Sequence, residues 1–221
     1  MNNPLLSTQA LPAYAEIQPA HVGPALDALL PEADAALQRA VGPEVPADYD
    51  ALSAVLDVPL EQLQVAWGAI SHLNAVADTP ALRQAYTENL PRVTEFFTRL
   101  GADERLYAKY KAVAQSASHL SAPRQRALGN AIRDFVMSGA ELQGADRERF
   151  AAIQARLADV AQQYSEHVLD ATDGFSLLVT QAQLDGVPAD VVETAQASAK
   201  AAGLEGYRLT LQAPCFLPVL Q

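Results

Sequence analysis

Between Asp146 and Thr172 the sequence reads DRERFAAIQARLADVAQQYSEHVLDAT, and Phe150, Ile153, Leu157, Val160, Tyr164, Val168 and Ala171 recur in it at steps of three and four. That spacing lays one apolar stripe along a helix of about seven turns. Asp146 is placed to cap its start, and Glu148 opposes the positive end of the helix dipole in the first turn. Gly174 suits a left-handed position just past the end. The stripe reads as that of a core helix, the spine around which the rest of the chain is arranged.

Ahead of it the pattern is helix after helix. Pro4, Pro12 and Pro19 with scattered leucines make residues 1–18 an extended arm. Pro19 then opens a helix with Val22, Leu26, Leu29, Ala33, Leu37 and Val41 on one side, closed by Gly42-Pro43. Asp48 starts a second helical stretch that Pro59 kinks or restarts, and its stripe continues through Leu63, Trp67, Ile70 and Val76. Thr79-Pro80 caps a third, bent at Pro91 and closed by Gly101; Asp103 and Ser121 begin two shorter ones. Past Gly174 the character changes. Phe175–Thr180 and Tyr207–Leu211 read as strands flanking a helix opened by Pro188 and ended by Gly203. The apolar run Cys215–Leu220, broken by Pro218, reads as an edge strand or extended tail. The fold class is therefore mainly α: one lobe over 1–221, helical over 1–173, with a mixed strand and helix extension over 174–221 that carries a small β-hairpin. Gly174 is the best candidate for an internal boundary.

Composition narrows the function classes. In 221 residues, half are apolar and 19% charged, which fits a globular chain able to bury a core. The net charge of −11, with no basic stripe, argues against nucleic acid and against anionic membrane surfaces as partners. Cys215 is the only cysteine, so no internal disulfide is possible. The first residues lack the basic and apolar segments of a signal peptide, and no run approaches the length of a membrane span, so the cytoplasm is the expected compartment.

No chemistry stands out. His21, His72, His119 and His167 show neither HExxH nor any short zinc spacing, and read as packing or surface residues, though ligands from separate helices stay open. Glu166, Asp170 and Asp173 share one helical face and could ladder a divalent cation, but a solvated or arginine-paired face is the plainer reading. Ser71-His72, Ser118-His119 and Ser165 near His167 point in different directions on a helix, so none is a nucleophile–base pair by itself. Cys215 lies in an apolar run without a nearby histidine, as a structural thiol does. GxSxG, P-loop and GxGxxG motifs do not occur. No catalytic, cofactor-binding or metal-binding residue is assigned.

Several stretches together carry a resemblance: Asn3-Pro4-Leu5-Leu6, SHLNAV at 71–76, RDFVMSGAEL at 133–142, YSEHVLDAT at 164–172, LEGYRLTL at 204–211 and CFLPVL at 215–220. In sequence and in order they resemble the thimet oligopeptidase family of zinc metallopeptidases across essentially the whole chain. The resemblance implies a cytoplasmic, largely helical enzyme that cuts short peptides in a deep channel between two lobes. It implies that this chain is the N-terminal, channel-wall lobe. The family's zinc, its HExxH helix and its downstream glutamate lie in the other lobe, so none of them can be carried onto a residue here. The chain is then expected to be inactive alone and to hold no cofactor. Short peptides are possible ligands. Self-association, or pairing with a catalytic half through the C-terminal strand region, is expected of a lobe with an uncovered apolar surface and an unpaired strand edge. The alternatives are a stand-alone helical interaction or regulatory protein derived from the family, and an enzyme completed in trans by a second chain.

Overall fold

A computed structural model describes residues 3–7 and 11–220, so positions 1, 2 and 8–10 of the expected arm lie outside the described residues. The chain forms two compact units, 1–159 and 160–221. The first contains α1 (Pro19–Val41), α2 (Tyr49–Val76), α3 (Pro80–Gly101), α4 (Glu104–Gln115), α5 (Ala122–Met137) and the first half of α6 (Gly144–Gly174). The second contains the rest of α6, then β1 (Leu177–Val179), α7 (Ala189–Ala201), β2 (Tyr207–Leu209) and α8 (Ala213–Leu220).

The helices of the first unit start where a side-chain acceptor meets free amides. Asp48 Oδ1 accepts from the Ala51 amide at 3.0 Å, Thr79 Oγ1 from Leu82 at 3.2 Å, and Asp103 Oδ1 from Arg105 and Leu106 at 2.9 and 3.1 Å. The α1 stripe is buried as its spacing predicts, with Val22, Leu26, Ala33 and Leu37 fully enclosed. Pro59 does not break α2: it lies on a partly exposed side, while Leu56 and Leu63 keep the packed side buried. Two cores result. One joins Leu26, Leu29, Leu63, Ile70, Val93 and Phe96 between α1, α2 and α3, and the other gathers Leu37, Leu56, Leu106, Val113 and Phe135 at α4 and α5.

The arm is pinned to the first core. Asn3 Oδ1 accepts from the Leu5 amide at 3.0 Å while its Nδ2 donates to the His21 carbonyl at 2.8 Å, and Leu5 is buried. Between α1 and α3 the acids Asp27 and Asp34, seven residues apart, pair with Arg92 and Arg99, also seven apart, at 2.7 and 2.6 Å. The two helices therefore run parallel, in register over two turns.

In the second unit β1 and β2 pair antiparallel, Leu177 opposite Leu209 and Val179 opposite Tyr207. Val179, Leu184, Ala195 and Leu209 form its core, with Cys215 and Val219 packed against it. The C-terminal run is a helix, not the expected edge strand or tail. Ala213 and Pro214 occupy first-turn positions, where a proline costs no hydrogen bond, and the Gln212 carbonyl accepts from the amides of Cys215 and Phe216, both at 2.9 Å. The four-residue step from Cys215 to Val219 puts both on the packed side. Strand pairing stops at Leu209, and the next amide, Thr210, turns to the Cys215 sulfur at 3.3 Å.

The ends of α6 also differ from expectation. It begins two residues early, at Gly144, whose φ of 53° is left-handed, so Asp146 lies in the first turn and not at the cap. Gly174 is the last helical residue and is not left-handed.

Candidate functional site

The long helix holds the main surprise of the structure. No residue of α6 is buried. Ile153, Leu157, Val160, Tyr164 and Val168, the stripe expected in a core, are 52%, 59%, 42%, 71% and 47% exposed. The least exposed positions are instead Arg147, Phe150, Gln154, Ala158, Gln162, Glu166, Leu169 and Thr172, a side mostly polar. In the first unit, Arg147 pairs with Glu104 and donates to the Ala102 carbonyl, and Phe150 packs at Gly139. Only Phe150 belongs to both sets. Along the helix the less exposed side is therefore mostly polar and the apolar stripe is exposed.

Within the second unit, Leu177 and Leu178 of β1 are each 51% exposed, and Phe216, Leu217 and Leu220 of α8 are exposed as well. The two-stranded sheet leaves the outer edge of each strand without a strand partner among the described residues.

The groups considered for chemistry are separated. His21 accepts from the Gln18 amide at the start of α1, and His72 meets Tyr14 edge-on at 5.4 Å. His119 Nδ1 lies 2.7 Å from the Ser116 carbonyl, and His167 is exposed on α6. On the acidic face of α6, Glu166 accepts from Gln162 at 2.9 Å and Asp173 from Gln212 at 2.9 Å. Ser165 donates to the Ala161 carbonyl at 2.9 Å. Among the described residues no group of three or more His, Cys, Asp or Glu side chains could hold a metal ion. The described residues therefore do not fit a zinc site.

The segments behind the resemblance do structural work. RDFVMSGAEL carries buried Phe135 and Ala140, and its Glu141 accepts from the Tyr107 hydroxyl at 2.8 Å, a bond that holds the phenol above its ordinary pKa. LEGYRLTL supplies β2, and CFLPVL supplies α8.

The sequence reading missed a groove of about 920 Å³ between the Pro4–Leu6 turn, α1 and α2. Its lining residues are distant in sequence, and no periodicity announces it.

The model of the neurolysin/thimet oligopeptidase N-terminal domain matches residues 26–147, from α1 into the first turn of α6. The chain belongs to that family. Over its whole length it is 38% identical to oligopeptidase A of Salmonella typhimurium and 38% identical to oligopeptidase A of Escherichia coli. It is 35% identical to a probable cytosolic oligopeptidase A of Arabidopsis thaliana. In each case it spans 33% of the relative's length. It corresponds to their N-terminal part.

Proposed function

We propose that this chain is the N-terminal, channel-wall part of an oligopeptidase A-like zinc peptidase that cleaves short peptides in the cytoplasm. The HExxH helix and its zinc would reside in polypeptide matching the remaining two thirds of the relatives. The observation that carries this reading is the outward apolar side of α6. A helix of this length with its polar side packed and its apolar side in water is what a part of a larger assembly presents where its partner docks. Exposed Leu177, Leu178, Phe216 and Leu217 in the second unit support the same conclusion. No helix among the described residues is long and apolar enough to cross a membrane.

The direct test co-expresses this chain with the matching C-terminal two thirds of the Escherichia coli relative, and uses that relative's own first third as a positive control. The expected result is a one-to-one complex that cleaves a fluorogenic peptide only with zinc, and a Leu157→Glu, Tyr164→Glu variant that fails to form it. A chain that never displaces the control third, even in excess, would instead favour the stand-alone interaction protein.

A further inference from the structure

The groove missed in the sequence lies wholly in the first unit, and none of its lining residues belongs to α6, β1 or α8. Its floor is apolar: Leu5 and Leu29 are buried, while Leu6, Val65 and Val58 are 42%, 42% and 63% exposed. Its rim is acidic. Glu32 comes from α1, and Asp57 and Glu61 stand one turn apart on α2, with no lysine or arginine among the described residues that line the groove.

Those three carboxylates differ from the arginine-neutralised acids of the first unit. Asp27, Asp34, Asp50, Asp78, Asp103 and Glu104 each have an arginine partner. Glu32, Asp57 and Glu61 have no ion pair with any described residue. An apolar floor bounded by unneutralised carboxylates is complementary to apolar side chains flanked by cations. The long walls are helices whose backbone groups are already bonded within α1 and α2, so no sheet edge is offered to an extended peptide. Recognition there must run through side chains, as when a helix lies in a groove.

We propose that this groove docks a cationic amphipathic helix of a protein partner. Leucine-like side chains would enter between Leu29, Val58 and Val65, and lysine or arginine side chains would reach Glu32, Asp57 and Glu61. This inference is independent of the peptidase reading.

The test measures fluorescence anisotropy of a labelled amphipathic helical peptide of leucine and lysine, with a leucine and glutamine peptide of equal length as control. The expected result is saturable one-to-one binding, weakened about tenfold by Glu32→Gln, Asp57→Asn, Glu61→Gln together. Val58→Ser with Val65→Ser should weaken it similarly. All five positions are exposed, so circular dichroism should stay unchanged. A charge-matched control in the second unit, Asp185→Asn, Glu193→Gln, Glu205→Gln, should shift affinity by less than about twofold. Equal weakening by that control would reduce the effect to general attraction by an acidic chain and overturn the proposal. Equal binding of the glutamine peptide would overturn the role of charge. Groove variants that alter the chain's own oligomeric state and leave peptide binding intact would make the occupant a second copy, which also overturns it.

Discussion

Asp103 combines the tasks of cap and ion-pair partner in one side chain at the start of α4. Burial, the largest single influence, pushes its carboxyl up. The Arg105 guanidinium and the amides of Leu106 and Arg105 more than offset this and hold it below its ordinary value. A depressed carboxyl pKa contributes stability that is fully present above the unfolded value and lost as pH falls through the folded one. Asp103→Ala should therefore cost about 1–2 kcal/mol in urea unfolding at neutral pH, and the deficit should shrink once the pH drops below about 4. A deficit constant with pH would mean that the ionised carboxylate contributes nothing. Caps such as Asp48, Thr79 and Asp103 are legible in the sequence because acceptor and amide lie within three residues. Gly174 was not, since a glycine can end a helix inside or outside the left-handed region and only the following chain decides.

At the level of elements, α6 shows what periodicity reports. Steps of three and four identify which side of a helix is apolar; they are silent on whether anything in the same chain covers that side. For α1 the two coincide and the stripe is buried. For α6 they do not. Leu157→Glu with Tyr164→Glu should therefore change unfolding free energy by less than about 1 kcal/mol, as surface substitutions do, while reducing apolar-dye binding and any self-association in sedimentation. A loss of several kcal/mol would show that the stripe is already packed in the isolated chain. The C-terminal run illustrates the complementary limit. A short apolar segment carries no length signal to separate strand from helix, and the deciding facts, the Gln212 carbonyl and the packing of Cys215 and Val219, are tertiary. The candidate interface was thus legible as residues but not as a surface, and the groove between α1 and α2 was not legible at all.

On the scale of the whole molecule, the predominance of helix and the small two-stranded sheet flanking a helix follow from the pattern of stripes and breakers. The division inside α6 leaves no mark on the sequence, because the helix runs through it without a glycine, proline or change of composition. Each unit nevertheless has its own buried cluster. Leu26→Ala, which opens a cavity in a fully enclosed site, should cost about 2–5 kcal/mol and raise amide exchange throughout α1 to α3. The amides of α7 and β2 should exchange as before, and matching acceleration there would show one cooperative block. The ladder between α1 and α3 has a consequence of another kind. Its exposed pairs add little stability. But sliding α3 by one turn would set Arg92 and Arg99 against Gly23 and Leu30, or against Pro31 and Gln38, none of them acidic. Both rungs fail together in either direction, so the paired sevens work as error-checking, rejecting a misthreaded bundle that the apolar stripes alone would accept.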